Sequence, residues 1–390
     1  MDFFIQSCYH GDMRRIYMDH ASTSFPKAPS VAQAVSDFIQ CNGCNINRGD
    51  YPQAYEAADM VFDTRQRLAT MFNSPKTENV VFTINVTTAL NFLIKGLFHS
   101  GDHVLVSSME HNAVMRPLVQ MEHHEVGFSR IPCTDRGELM LETIEEMIAP
   151  NTKAIIMNHA SNVCGTIVPI EQVGEIAYKH GLPFIVDAAQ TAGILPIDMQ
   201  AMNIDALCFT GHKGLLGPQG TGGFILSDSL ADQLEPLISG GTGSMSDSEE
   251  IPRLLPDKFE AGTLNLPGIA GLHAALSELQ IGTHTELTAR FLEGLRRLPR
   301  ISLKGLNDTE GRVAVFGLDF PDQDNAMIAS ILSERYDIMT RVGLHCAPNA
   351  HRTLGTFPQG LVRFSFGSST TVEEVDYVLA ALREISENTR

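Results

Sequence analysis

From residue 80 to about 230, short apolar runs alternate with stretches whose apolar residues recur at helical spacing. VVFTI (80–84) leads into a helical stretch at 88–98, HVLVSS (103–108) into one at 113–123, and KAIIMNH (153–159) into one at 171–180. PFIVDAA (183–189), DALCFT (205–210) and GGFILS (222–227) complete the series. Runs this apolar suit strands buried on both faces, and the alternation predicts an α/β fold with a mainly parallel sheet flanked by helices. After about residue 265 the rhythm changes. Helical stretches at 268–280 and 284–298 precede the strand-like VAVFGLDF (313–320) and LVRFSF (361–366), and an amphipathic helix is expected at 372–386. The change predicts a large domain over 18–265 and a smaller α+β domain over 266–390, which the N-terminal segment 1–17 joins. The Gly-, Ser- and acid-rich stretch 238–250 reads as a surface loop.

Composition narrows the function. Of the 390 residues 43% are hydrophobic and 19% charged, so a packed core is possible without staples. The net charge of −18 argues against nucleic-acid or anionic-membrane partners, which need clustered Lys and Arg. No apolar run approaches the roughly 18 residues of a membrane span. The seven cysteines, Cys8, Cys41, Cys44, Cys133, Cys164, Cys208 and Cys346, are odd in number and scattered, as in a reduced cytoplasmic protein. Cys41 and Cys44 form a lone CxxC, a weak metal signal without a second pair, and no metal site is expected. Neither G-x-G-x-x-G after the first strand nor G-x-x-x-x-G-K-[ST] is present, which disfavours dinucleotide and P-loop chemistry.

In a parallel sheet, ligands bind at the carboxyl ends of the strands. TGHKG (210–214) puts Thr210, His212 and Lys213 after DALCFT, and VDAAQ (186–190) puts Asp187 at the end of an apolar strand. A buried carboxylate there needs a cationic partner, and a protonated pyridine nitrogen is one candidate. Gln190 follows one turn later. NVTTALN (85–91) places the Val86 and Thr87 amides and the Thr87 hydroxyl at a strand–helix junction suited to an anion; plain N-capping by Thr87 is the simpler use of the same residue. His111 in EHNAV and Asn162 in HASNVCGT fall on the same rim. Together they describe a site for a planar phosphorylated aldehyde held through a lysine.

These motifs resemble the fold-type I pyridoxal-phosphate enzymes of the class V aminotransferase superfamily, specifically the cysteine desulfurases. The resemblance runs from YMDHASTSFP (17–26) to the C-terminal helix. It implies pyridoxal 5'-phosphate as cofactor, with Lys213 as Schiff-base lysine and proton carrier, Asp187 on the pyridine nitrogen and Gln190 on the phenolic oxygen. His111 would stack on the ring and assist proton transfer, and Asn162 would lie near ring and substrate carboxylate. Thr87, Thr210, His212 and the Val86 amide would hold the phosphate. Thr263 in EAGTLN would reach the phosphate of a neighbouring subunit, which implies a homodimer. Arg363 in GLVRFSFG would grip the substrate carboxylate, with Arg341 as a second candidate and Arg48 in an early active-site loop.

RVGLHCAPNAH (341–351) resembles the short active-cysteine loop of the branch related to selenocysteine lyases. Cys346 would take sulfur from L-cysteine as a persulfide and leave L-alanine, with His345 lowering its pKa. A sulfur-acceptor protein is then an expected partner. Selenocysteine lyase, cysteine sulfinate desulfinase and another class V aminotransferase-type reaction are the alternatives. Asn85-Val86-Thr87 stands where many relatives carry Gly-Thr-Thr, and Leu344 where a second His is common. The first dozen residues precede the usual family start, which makes Met13 a candidate initiation site.

Overall fold

The computed structural model describes residues 15–46, 49–282 and 284–387. The chain enters through β1 (Ile16–Tyr17) and the helices α1 (Pro29–Asp37) and α2 (Pro52–Met71). A strand–helix series follows: β2 (Val80–Thr83), α3 (Val86–Leu97), β3 (His103–Ser107), α4 (Asn112–Glu122), β4 (Gly127–Ile131), α5 (Ile144–Met147), β5 (Thr152–Asn158), α6 (Ile170–Lys179), β6 (Phe184–Asp187), β7 (Ala206–Thr210), β8 (Gly222–Leu226) and α7 (Asp228–Gln233). These strands form one seven-stranded sheet in the order β2-β8-β7-β6-β5-β3-β4, parallel except for β8, which runs against both neighbours.

Alternation explains why the strands read as unbroken apolar runs. Leu105, Ile155, Met157, Val186, Leu207 and Phe209 enter one core, while Val104, Val106, Ile156, Ile185, Cys208 and Phe224 enter the core on the opposite face. With side chains pointing to opposite faces in turn, both faces must be apolar when both carry helices. Strand β4, GFSRI, is an edge strand with only its last residue buried. The stretch between α7 and α8 (Leu266–Glu278) contains no helix or strand. It is anchored by the Arg65–Glu260 ion pair, in which both partners' side chains are buried and two bonds form at 2.7 and 2.6 Å.

The second unit comprises α9 (Thr285–Arg296), β9 (Ser302–Lys304), β10 (Val315–Asp319), α10 (Asn325–Tyr336), β11 (Ile338–Met339), β12 (Arg341–Gly343), α11 (Pro348–Thr353), β13 (Leu361–Ser365) and α12 (Val372–Glu387). Its antiparallel sheet has the order β12-β13-β10-β9, and β1 pairs with β11 beside it. Phe291, Phe316, Phe364 and Phe366 interlock in its core. Helix α8 buries Leu266, Ile269, Leu272 and Leu276 in the core of the large sheet. The change of core therefore falls between α8 and α9, one helix later than the 265/266 division read from the sequence. Asp19 bridges to Ser365, which carries the N-terminal segment from the small sheet toward the carboxyl ends of the large one.

Candidate active site

The start of β8 brings the N-terminal end of α3 to the rim. Gly222 pairs with Thr83 on one side and Thr210 on the other, so the ends of β2 and β7 flank it. A Cβ on Gly222 would stand 2.7 Å from the Asn85 Cα; glycine lets the chain entering α3 come this close. Asn85, not Thr87, caps α3, its side chain accepting the Thr88 amide at 2.9 Å. The cap leaves Val86 and Thr87 as the first two helical residues, whose amides lack intrahelical acceptors. Thr210 is 2% exposed and its hydroxyl has no partner, nor has the buried Nδ1 of His212. Burial, with Lys213 and Lys27 adding to it, pushes His212 down to about 4, so its ring is neutral near pH 7.

Asp187 closes β6 between Asn158 and Cys208 of the adjoining strands. One carboxylate oxygen accepts the Ala189 amide at 2.9 Å. Burial raises the carboxyl pKa, and that bond and the Lys213 charge work against the rise without cancelling it. A cation placed against Asp187 would relieve this cost. Burial takes the Lys213 amine down to about 8, against an opposing pull from Asp187. The lysine's position is fixed by close backbone approach: a Cβ on Gly214 would meet the Ala192 carbonyl at 2.4 Å, and one on Gly193 the Gly214 carbonyl at 2.4 Å. Gln190, on the same turn, donates to the Ala21 carbonyl at 3.1 Å.

His111 is the N-cap of α4, and its Nδ1 accepts the Ala113 amide at 3.0 Å. With Nδ1 an acceptor, a neutral ring carries its proton on Nε2. Burial chiefly, then Lys213 and Arg363, lowers its pKa to about 4.

From the small sheet, Arg363 on β13 and Arg341 on β12 stand opposite each other. Arg363 is 3% exposed; it donates to the Asn162 carbonyl at 3.0 Å, Asp19 at 2.8 Å and Ser22 at 2.6 Å, and its Nε has no partner. Ser22 uses its full capacity: it donates to Asp19 at 2.7 Å and accepts from Arg363 and, at 2.7 Å, from Arg341. Asn162 donates to the His345 carbonyl at 2.8 Å and keeps a buried, unpaired Oδ1.

Cys346 is exposed and follows His345, and both residues adopt left-handed backbone, φ 57° and 47°. Each such non-glycine residue costs on the order of 1–2 kcal/mol, so the turn needs external support. His345 does not act as a cation beside the thiol, contrary to the reading from sequence. Its ring is turned inward, Nε2 lies 3.2 Å from the Leu361 carbonyl, and burial drives its pKa to about 2.

Thr263 stands apart from this cluster. It is exposed, 3.5 Å from the Asn45 amide nitrogen, beside an apolar cavity of about 210 Å³ lined by Phe82, Ile84, Phe92 and Ile238. Cys41 and Cys44 flank a left-handed Gly43, and the Cys44 thiol lies 2.6 Å from Asn42 Oδ1. No cluster of metal-binding side chains occurs among the described residues. Arg48 and Met13 lie outside the described residues.

The family model for "Aminotransferase class-V" matches residues 16–378, nearly the whole chain. The chain belongs to the class V aminotransferase family. Within it, the chain is 31% identical over 383 residues to a Methanothermobacter thermautotrophicus protein named "Probable cysteine desulfurase", covering 95% of this chain and 94% of that one. A Klebsiella pneumoniae protein named "Cysteine desulfurase" is 31% identical over 386 residues, covering 95% and 93%. The solved apo structure of a cysteine desulfurase from Thermococcus onnurineus NA1 superimposes with a TM-score of 0.89 at 30% identity, covering 96% and 95%. This class V chain therefore sits among the cysteine desulfurases.

Several residues that the sequence reading passed over help build the site. Asp19 and Ser22 organise the two arginines, and Lys27 donates to the His212 carbonyl at 2.9 Å. Glu110, next to His111, is 1% exposed; burial pushes it up to about 8, while the Ser107 hydroxyl at 2.5 Å and the Asn158 amide at 2.9 Å hold Oε1. Asp19 and Ser22 lie inside YMDHASTSFP and Glu110 inside EHNAV without a role read for them, and Lys27 directly follows the first of these motifs.

Proposed function

We propose that this protein is a pyridoxal 5'-phosphate-dependent cysteine desulfurase that converts L-cysteine to L-alanine and takes the sulfur onto Cys346 as a persulfide. The observation that carries the reading is a set of buried polar atoms left without partners at one rim: Thr210 Oγ1, His212 Nδ1, Asn162 Oδ1 and Arg363 Nε. Buried polar groups are normally satisfied, so this concentration marks a place for a polar ligand. The donor chemistry fits the cofactor. Thr210, His212 and the Val86 and Thr87 amides suit its phosphate, and Asp187 suits a protonated ring nitrogen.

When bound, the cofactor supplies an electron sink for charge developing at the substrate Cα. Lys213, with its amine near 8, can hold the aldehyde and then move the proton at Cα. His111 offers a flat neutral ring with Nε2–H free to donate. Arg363 and Arg341 orient the substrate carboxylate. Cys346 takes the sulfur. The change balances without an outside oxidant: the substrate Cβ–S bond is replaced by Cβ–H, and the Cys346 S–H becomes S–S–H.

The exposed Cys346 is open to a sulfur acceptor. The apolar cavity beside Thr263, with Ile84, Ile238 and Leu254 exposed, suits burial against a second copy, in keeping with a homodimer. No helix among the described residues is long and apolar enough to cross a membrane, and the free cysteines suit a reducing cytoplasm.

The test is alanine formation from L-cysteine by the holoenzyme and two variants. Cys346→Ser is expected to keep the cofactor's visible absorbance and lose alanine formation by at least about a hundredfold, a loss of roughly 2.7 kcal/mol of transition-state stabilisation. Lys213→Ala is expected to lose both. Full alanine formation by Cys346→Ser would refute the persulfide route.

A further inference from the structure

We propose that Asn162 and the Asn112 amide are positioning elements that hold the Cys346 turn in its left-handed conformation, and so set where the thiol stands; the inference rests on Cys346 being the sulfur-accepting thiol. Two consecutive non-glycine residues with φ near +50° do not keep that geometry by themselves. Four hydrogen bonds hold them. Asn162 Nδ2 donates to the His345 carbonyl at 2.8 Å, and the Asn112 amide to the Cys346 carbonyl at 2.7 Å. The Ala347 amide closes the turn on Leu344 at 2.8 Å, and the His345 ring is tied to Leu361.

The last two bonds are internal to the small unit. The first two come from the large unit, from the turn after β5 and from the first helical residue of α4. They attach the turn's two strained residues to the rim that carries His111. Asn162 also links the turn to the carboxylate site, because its own carbonyl accepts from Arg363 at 3.0 Å. The turn bearing Asn162 is rigid: the Ser161 amide bonds the Thr166 carbonyl at 2.9 Å, and the Gly165 amide bonds Ser161 at 3.0 Å. A Cβ on Gly165 would lie 2.5 Å from the Val315 carbonyl, so this turn is seated directly on β10. The thiol's position is thus referenced to the end of β5 in the large sheet and, through Gly165, to β10 in the small one.

Two substitutions separate positioning from folding. Asn162→Asp keeps the side-chain shape but replaces the donor with an oxygen facing the His345 carbonyl. Asn112→Pro deletes the amide hydrogen at the first position of a helix, where proline is well accepted, and His111 before it already has φ −73° and ψ 155°, which a following proline requires. In hydrogen–deuterium exchange of the holoenzyme, the segment 344–350 is expected to exchange at least about tenfold faster in both variants, equal to roughly 1.4 kcal/mol of lost protection. Asn112→Pro is further expected to lose desulfuration by at least about tenfold while exchanging the Cα hydrogen of L-alanine in heavy water within about threefold of wild type, since that exchange uses Lys213 and not the thiol. Unchanged exchange of 344–350 in both variants would overturn the proposal, as would loss of L-alanine exchange in step with desulfuration. Because backbone exchange needs no turnover, it judges the proposal independently; a wild type that yields no alanine would count against the desulfurase reading alone.

Discussion

At the scale of single residues, burial holds histidines in and around the site in their neutral forms. His20, His111, His159, His212 and His351 are pushed down to about 4, and His345 to about 2, in each case chiefly by loss of water. The unfolded chain protonates these rings near 6.5, whereas the folded protein does not until far lower pH. As pH falls below 6.5 the unfolded state therefore binds more protons, and stability is lost. Glu110 acts in the opposite sense. Its raised pKa contributes stability that is complete below about 4.5 and lost as pH rises through about 8; with Asp187, also raised by burial, that makes two carboxyls against six rings. Thermal unfolding of the holoenzyme should accordingly show a Tm that drops between pH 7 and pH 5, with each fully buried ring contributing at most about 1.4 kcal/mol per pH unit. A Tm unchanged or raised at pH 5 would contradict this assignment of charge. The positions of Lys213, Asp187 and His111 on one rim were legible in the sequence because each ends or follows an apolar strand run. The true role of His345 was not, because adjacency to Cys346 says nothing of which way the ring turns.

At the scale of elements, the central strands were legible for a physical reason. β5, β6 and β7 are buried on both faces and therefore cannot alternate, while β4 is a half-exposed edge with a mixed pattern and left no clear signal. Helix α2 was also silent, because its buried face includes Thr64 and Arg65, the latter paired with Glu260. Backbone contact fixes the remaining geometry, and a sequence reports it only through glycine. Gly193, at φ 81°, lies where a Cβ would sit 2.4 Å from the Gly214 carbonyl, next to Lys213. Gly193→Ala should cost roughly 1–2 kcal/mol for the left-handed backbone alone, and more for the overlap. The variant is expected to unfold at lower denaturant than wild type and to bind the cofactor more weakly by titration of its visible absorbance. Wild-type stability and cofactor affinity would show that the Lys213 turn does not need this close approach.

At the scale of the molecule, the proposed reaction needs two units to meet at one rim. The large unit supplies the start of α3, Asp187, Lys213 and His111; the small unit supplies Arg363, Arg341 and the turn bearing Cys346. Asp19 and Ser22, on the segment that runs between them, bind both arginines in place. Asn162 and the Asn112 amide tie the thiol turn to the same rim. The meeting itself was not legible in the sequence, since residues 162 and 345 are joined only by folding. The central claim, that sulfur leaves L-cysteine onto Cys346, is tested most directly by one turnover of the holoenzyme with L-cysteine, followed by mass analysis of the peptide containing residue 346. This peptide is expected to become heavier by one sulfur atom, in an amount equal to the alanine formed. Alanine without added sulfur on Cys346, or added sulfur without alanine, would contradict it.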